Sequence, residues 1–158
     1  MKIAVGADHR GFNAKSNIKD VLVELGQEVV DFGTESTKSC DYPDAALSTA
    51  RAVRDGRCEL GVLFCGTGIG MCITANKVRG VRAALCHDEL TTEMARRHNN
   101  ANILCLPADL VGDALMRRIV SVWLNTPFEG GRHGLRIEKI SNIESEECRS
   151  PGGSDPTP

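Results

Sequence analysis

Short, almost wholly apolar runs alternate along this chain with longer stretches of helical periodicity. Between the first two runs, Ile18, Val21 and Leu25 recur at the spacing of one helix face, and Gly26 follows where helices commonly end. Strands that are apolar throughout are typical of a parallel sheet covered on both faces. The apolar runs are Ile3–Val5, Val29–Phe32, Leu60–Cys65, Val81–Cys86 and Ile103–Leu106.

This alternation predicts an α/β fold, a Rossmann-like three-layer αβα sandwich around a five-stranded parallel sheet. Further helices are expected near Ala45–Arg54 and Glu89–Arg97, and two more toward the end of the chain. We expect residues 1–148 to form a single domain. Residues 149–158 contain three prolines and two glycines, a composition that predicts a disordered tail.

The overall charge and hydropathy exclude several classes of partner. A net charge of −2 provides no broad basic field of the kind that binds nucleic acid or anionic lipid. No apolar stretch approaches the roughly 20 residues that span a bilayer. The segment Met1–Gly6 runs directly into a strand pattern and lacks the apolar core of a signal peptide. A cytoplasmic protein without nucleic-acid or membrane partners is therefore expected.

The chain contains seven cysteines, an odd number. This count, together with the missing secretion signal, argues against a disulfide framework. No Cys-x-x-Cys pair is present, which argues against a structural zinc site. Cys86 and Cys105 fit the pattern of small buried hydrophobic residues. Cys65 differs from them because it ends an apolar strand at the edge where such folds bind ligands.

Cys65 is followed directly by a loop in which glycines alternate, Gly66-Thr67-Gly68-Ile69-Gly70. Such a loop can turn several backbone N–H groups toward one anion. It lacks the Gly-Lys-Ser/Thr ending of a P-loop, and Met71 breaks the dinucleotide-binding pattern. A thiolate beside such a loop could act as a base, with the N–H groups stabilising an enediolate. From the residues alone, a functional and a packing role for Cys65 stay equally open.

Three further polar groups fit an anionic ligand, although each has an ordinary structural alternative. Asp8 and His9 follow the first strand pattern, where Asp8, taken alone, is better explained as a helix N-cap. His98 could move protons near neutral pH or cap a helix C-terminus. Arg132 and Arg136 could hold a phosphate or form a solvated basic patch. The coincidence of these groups, rather than any one of them, points to an anionic ligand.

Together these segments resemble the type B ribose-5-phosphate isomerases, a family that also includes galactose-6-phosphate and allose-6-phosphate isomerases. The similarity spans about Lys2 to Ile143. The matching segments, in chain order, are Gly6–His9, Asp41–Asp44, Cys65–Gly70, Ala75–Lys77, Arg82–Ala84, His98–Asn102 and Gly131–His133.

The resemblance implies a flavodoxin-like fold and interconversion of D-ribose 5-phosphate and D-ribulose 5-phosphate, a step of the non-oxidative pentose phosphate pathway. It implies no metal and no cofactor. It also implies a homodimer, sometimes assembled into a tetramer, whose active sites are shared between subunits. One branch of the family uses a glutamate base further along the loop's helix. Ile73 and Thr74 stand there in this chain, which therefore resembles the cysteine branch.

The resemblance also assigns roles to individual residues. Cys65 would move the proton between C2 and C1, and His98 would open the sugar ring. Thr67 is implied as a third catalytic residue, part of the loop that stabilises the enediolate. The implied substrate-binding residues are Gly66, Gly68 and Gly70 at the enediolate, Asp8, Tyr42 and Asn99 along the sugar, and His9, Arg132 and Arg136 at the phosphate.

One position departs from the pattern of the family. Many relatives carry a phosphate-binding arginine after the fifth strand, where this chain has Asp109. A carboxylate there would repel a phosphate at close range, and Arg10 or Arg117 could compensate. Two other functions stay open from the sequence: a hexose-6-phosphate isomerase of the same family, and a non-catalytic phosphate-binding module on the same fold.

Overall fold

The apolar runs form a single five-stranded parallel sheet in the computed structural model, which describes residues 1–147. The strand order is β2-β1-β3-β5-β4, and every adjacent pair is parallel. This confirms the predicted fold class. The predicted tail and Cys148 lie outside the described residues. The strands are β1 (Lys2–Ala7), β2 (Glu28–Asp31), β3 (Leu60–Cys65), β4 (Ala83–Leu85) and β5 (Ile103–Pro107).

Helices cover both faces of the sheet, as the apolar strands require. The second helix begins at Tyr42 rather than near Ala45, because Pro43 fits the first turn of a helix. Gly26 has a φ of 73°, the left-handed conformation expected of a residue that ends a helix. The helices are α1 (Phe12–Glu24), α2 (Tyr42–Arg54), α3 (Ile69–Ala75), α4 (Glu89–Asn99), α5 (Asp113–Asn125) and α6 (Arg132–Glu147). None of these helices is long and apolar enough to cross a membrane.

Alternate residues of the central strands pack into two separate cores. Phe64 points into the core beneath α1, α4 and α5, where Trp123 is fully buried. Leu63 and Cys65 point into the opposite core, beneath α2 and α3, against Met71. Because side chains alternate along a strand, the last residue of β3 faces α2 and α3. This register places the Cys65 thiol at the start of the loop that leads into α3.

The loops that follow β1 and β3 meet at the middle of the sheet, where the strand order reverses. The N–H group of Asp8 donates to the carbonyl oxygen of Phe64 at 3.2 Å. Gly11, the N-cap of α1, lies so close that an added Cβ would be 2.4 Å from the same carbonyl oxygen. Ligands of doubly wound folds bind at such a switch point, outside the carboxyl ends of the strands.

We expect Gly11→Ala to lower the free energy of unfolding by about 1–3 kcal/mol, because the added methyl group overlaps rigid backbone. Equilibrium unfolding in urea at a fixed protein concentration measures this change. Gly134→Ala within α6 is the matched control, since its added methyl group meets nothing within 4 Å. That variant should be as stable as the wild type or slightly more stable. Equal destabilisation of both variants would contradict the steric account.

Candidate active site

A cavity of about 330 Å³ opens at the carboxyl ends of β1 and β3. It brings together residues from both loops, from the start of α2 and from the segment after β5. Most of its lining consists of residues that the sequence already indicated. The lining residues are Asp8, Arg10, Tyr42, Cys65, Gly66, Thr67, Gly70 and Asp109.

Cys65 lines this cavity, and 5% of the residue is exposed. Its Sγ accepts a hydrogen bond from the backbone N–H of Gly68 at 3.1 Å. Gly68 has a φ of 73°, a conformation that turns this N–H back toward the sulfur and that favours glycine. A backbone N–H aimed at a sulfur stabilises negative charge there. The arrangement therefore suits a thiolate base.

The glycines of this loop allow other groups to approach its backbone closely. A Cβ added to Gly70 would lie 2.6 Å from the ring of Tyr42, which covers the start of α3. A Cβ added to Gly68 would lie 2.4 Å from Leu85 Cδ1. Thr67 is the only residue between Cys65 and Ile69 that carries a side chain, and its hydroxyl accepts from Ile69 N–H at 3.4 Å. The loop is therefore closely packed, with one hydroxyl at the cavity.

Asp8 presents a buried carboxylate to the same cavity, with 5% of the residue exposed. Its Oδ1 accepts hydrogen bonds from the N–H groups of Arg10 and Gly11, both at 2.9 Å. The N-cap of α1 is Gly11, so the prediction that Asp8 is the N-cap residue is wrong. Asp8 instead closes the turn that enters α1, which holds its carboxylate in place next to the cavity.

Arg10 and Asp109 form an ion pair on the wall of the cavity. Arg10 Nε donates to Asp109 Oδ2 at 2.7 Å, and Arg10 Nη2 lies 2.5 Å from the same oxygen. Arg117, the other arginine considered as a compensating group, instead lies 3.9 Å from Glu24 Oε2. Sequence reasoning named Arg10 only as one of two arginines that could compensate for Asp109, and the structure places Arg10 at that aspartate.

The remaining predicted residues do not line this cavity within one protomer. His9 Nδ1 lies 3.2 Å from the carbonyl oxygen of Cys40. Asn99 lines a separate cavity of about 660 Å³ that is bordered by α4, β4 and α6. Arg132 and Arg136 lie on the first turns of α6. The predicted residues outside the lining of the Cys65 cavity are His9, Gly68, His98, Asn99, Arg132 and Arg136, of which Gly68 contacts the Cys65 sulfur through its N–H.

His98 belongs to a second cluster, formed by the end of α4 and the start of α6. Its ring stacks on that of His133, with centroids 4.1 Å apart and an interplanar angle of 3°. The Nε2 atoms of both rings lie 3.5 Å from Glu129 Oε2. Arg97 holds the other oxygen of this carboxylate at 2.5 Å. Glu129 and the role of His133 were missed because residues around 129 show no periodic pattern that would place them beside α4.

Two groups of this cluster have shifted pKa values. The pKa of Glu129 is lowered, chiefly by its hydrogen bond with Arg97. The pKa of His133 is lowered, first by burial and then by repulsion from His98 and Arg132. At neutral pH the cluster therefore contains a charged carboxylate beside a neutral His133 ring. This carboxylate can accept a hydrogen bond from the ring of His98 and so fix its orientation.

The same cluster is the candidate metal site within residues 1–147. One ligand atom from each of His98, Glu129 and His133 lies within 4.8 Å of the others. Two imidazoles and a carboxylate are a donor set that zinc accepts. However, the rings are parallel, so their lone pairs do not converge on one point, and Arg97 already holds Glu129. The arrangement fits a hydrogen-bonded proton-transfer group better than a metal centre.

Comparison with known proteins identifies the family of the chain. Residues 3–140 match the family model described as Ribose/Galactose Isomerase. The chain belongs to this family. Ribose-5-phosphate isomerase B of Escherichia coli (strain K12) is 46% identical over 143 residues, covering 90% of this chain and 96% of that protein. The resemblance found in the sequence is thereby confirmed, and the chain is an isomerase of the sugar-phosphate type.

Other members of the ribose/galactose isomerase family show both the shared structure and a range of named substrates. The structure of Clostridium thermocellum ribose-5-phosphate isomerase B has a TM-score of 0.92 and 49% identity, covering 93% of this chain and 99% of that one. D-erythrulose-4-phosphate isomerase of Pectobacterium atrosepticum is 43% identical over 148 residues, covering 93% of this chain and 97% of that protein. The family therefore includes relatives named for sugar phosphates of different length.

A second thiol of this isomerase, Cys72, lies half-buried on α3 behind the glycine loop. Its pKa is lowered to about 7, chiefly by a hydrogen bond with the thiol of Cys105. Burial raises the pKa of Cys105, and both Cys86 and Cys105 are buried as predicted. The six described cysteines are all free. Any experiment on the reactivity of Cys65 must therefore separate its signal from that of Cys72.

We expect an NMR titration of the His133 ring to give a pKa below the ordinary value of 6.5, because burial and neighbouring positive charge disfavour the protonated ring. Glu129→Gln should lower that pKa further, because Glu129 is the group that favours protonation. A His133 pKa above 6.5, or a rise in Glu129→Gln, would contradict the described cluster.

Proposed function

We propose that this isomerase interconverts D-ribose 5-phosphate and D-ribulose 5-phosphate through an enediolate, with Cys65 as the base. The observation that carries the proposal is the Gly68 N–H held 3.1 Å from the Cys65 sulfur, in a cavity that also contains the carboxylate of Asp8. The similarity to proteins named ribose-5-phosphate isomerase B in E. coli and C. thermocellum supports the pentose phosphate as the substrate.

The chemistry needs one base that serves two neighbouring carbons. The Cys65 thiolate removes the proton from C2 of the open-chain aldose, and the electron pair moves to the carbonyl oxygen at C1. The proton of the C2 hydroxyl passes to the oxygen at C1, and the same sulfur returns the proton it removed to C1 as the carbonyl re-forms at C2. Negative charge on the enediolate oxygens is stabilised by the loop formed by Gly66, Thr67, Gly68 and Gly70. No redox partner is required, because the electrons stay within the sugar.

We further propose that two copies of the chain complete each active site. Within residues 1–147 of one protomer no imidazole lines the Cys65 cavity, whereas His98 lies in the separate cluster with Glu129 and His133. Helix α6 exposes apolar side chains at Leu135, Ile140 and Ile143, which are 64%, 49% and 59% exposed. Exposed apolar residues along a helix are typical of a surface that packs against a partner. A homodimer with shared sites, or a tetramer built from such dimers, would cover this face.

In this dimer the remaining predicted residues would serve ring opening and phosphate binding. His98, oriented by Glu129, would exchange a proton with the ring oxygen of the furanose. Arg132 and Arg136 lie four residues apart on α6, a spacing that places both guanidinium groups on one side of the helix. Together with His9 they would hold the phosphate, while Asp8, Tyr42 and Asn99 would contact the sugar hydroxyls.

A substrate of different length is the second candidate. The family description includes galactose isomerases, and one relative is named D-erythrulose-4-phosphate isomerase. The mechanism at Cys65 would be the same for a hexose 6-phosphate or a tetrose 4-phosphate, because only C1 and C2 react. Parallel assays with four-, five- and six-carbon sugar phosphates therefore decide the substrate. No turnover of any of them would favour the non-catalytic phosphate-binding alternative.

Cys65→Ala should reduce turnover of ribose 5-phosphate by about 10²–10⁴-fold, because the base is lost. Binding of the substrate should change little. The assay follows ribulose 5-phosphate formation in the presence of EDTA. Cys72→Ala is the matched control, since Cys72 is a nearby thiol that does not line the cavity. Loss of turnover in Cys72→Ala, with full activity in Cys65→Ala, would show that Cys65 is not the base.

Complementation between inactive variants tests the shared site. Cys65→Ala and His98→Asn are each expected to be impaired on ring-closed substrate. When they are unfolded together in equal amounts and refolded, half of the dimers should be mixed, and one of the two sites in each mixed dimer is intact. About a quarter of the wild-type activity should therefore return. Activity no higher than the mean of the separately refolded parents would show that each site lies within one protomer.

A further inference from the structure

The ion pair of Arg10 and Asp109 lies directly over the residue that follows the catalytic thiol. A Cβ added to Gly66 would be 2.5 Å from Asp109 Oδ2 and 2.7 Å from Arg10 Nε. The two charged groups therefore pack against the backbone of Gly66. Arg10 is also the basic side chain that lines the Cys65 cavity within residues 1–147.

Both members of the pair are anchored through their backbones. The N–H of Asp109 donates to the carbonyl oxygen of Gly66 at 3.0 Å, and the N–H of Ala108 donates to that of Cys65 at 2.9 Å. The N–H of Arg10 donates to Asp8 Oδ1 at 2.9 Å. The segment after β5 is thus held against the glycine loop. The turn after β1 is closed by the buried carboxylate of Asp8. Their side chains meet across the cavity wall in a defined position.

The geometry of the pair leaves part of the guanidinium available. Asp109 engages Nε and Nη2 of Arg10 through a single oxygen, Oδ2. A guanidinium has five N–H donors in a planar fork, so donors on the Nη1 side stay available for a second acceptor. The side chain of Arg10 is 60% exposed, which leaves it open to a ligand in the cavity.

We propose that Arg10 is a further group, beside His9, with which the Cys65-bearing protomer binds the anionic group of the substrate, and that Asp109 is a positioning residue for it. An isolated carboxylate at position 109 would repel a phosphate. The ion pair with Arg10 balances the charge of the Asp109 carboxylate. The carboxylate in turn fixes the orientation of the Arg10 guanidinium over Gly66. The inference rests on the proposed function to the extent that the substrate is a sugar phosphate.

The first test separates binding from chemistry. Arg10→Ala should raise the KM for ribose 5-phosphate at least tenfold while kcat changes by less than about threefold, because the proposal places Arg10 at the phosphate rather than at the reacting carbons. Arg10→Lys should restore little of this loss, since an ammonium cannot serve Asp109 and a phosphate in the same planar geometry. Added guanidinium ion at millimolar concentration should lower the KM of Arg10→Ala but not that of the wild type.

The second test concerns Asp109. Asp109→Ala should raise the KM by about threefold to tenfold, because Arg10 loses its fixed orientation. A decrease in KM would show that the carboxylate repels the substrate, and would overturn the positioning role. Arg117→Ala is the matched control, because its guanidinium lies near Glu24, away from the cavity. Its KM should equal that of the wild type.

A binding measurement distinguishes failure of this inference from failure of the proposed function. Inorganic phosphate, titrated calorimetrically into the wild type and Arg10→Ala, should bind at least tenfold more weakly to the variant. If the wild type isomerises no sugar phosphate but still needs Arg10 for phosphate, the proposed function is wrong and this inference stands. If ribose 5-phosphate is isomerised and neither its KM nor phosphate affinity depends on Arg10, this inference is wrong.

Discussion

The close approach of the loops after β1 and β3 is the constraint on which the rest of the site depends. The Asp8 N–H reaches the carbonyl oxygen of Phe64 at 3.2 Å, and Gly11 leaves no room for a Cβ beside that oxygen. This contact brings a buried carboxylate and the strand-end thiol of Cys65 into one cavity. It also places Arg10 beside Gly66, where Asp109 meets it from the segment after β5.

The sequence predicted the parts of the site that depend on local pattern. Cys65 and Asp8 lie where strands end. A parallel sheet brings the carboxyl ends of its strands to one edge in any strand order. The pair of Arg10 and Asp109 could not be predicted in the same way. These residues are separated by 99 positions in the sequence. Neither lies in a periodic segment from which its spatial neighbours could be predicted. Their contact depends on the side-by-side placement of the loops after β1, β3 and β5.

The sequence could not show that the predicted site residues form two separate clusters within one protomer. The resemblance assigned Cys65 and His98 to one active site, yet in a single protomer they belong to separate clusters. The Cys65 cavity is bordered by glycines and their backbone N–H groups. Such groups stabilise negative charge that develops on a substrate oxygen. The His98 cluster is built on a carboxylate held by Arg97, which suits an oriented imidazole. In the proposed homodimer, a second copy of the chain brings them together.

Cys65 is the thiol that we propose contacts the sugar phosphate. The most direct measurement is the rate of iodoacetamide labelling at each cysteine, resolved by peptide mass spectrometry, with and without ribose 5-phosphate. Cys72, whose pKa is about 7, is an internal reference for a reactive thiol outside the cavity. Ribose 5-phosphate should slow the labelling of Cys65 and leave the labelling rate of Cys72 unchanged. Labelling of Cys65 that is independent of ribose 5-phosphate, at concentrations that saturate turnover, would contradict this proposal.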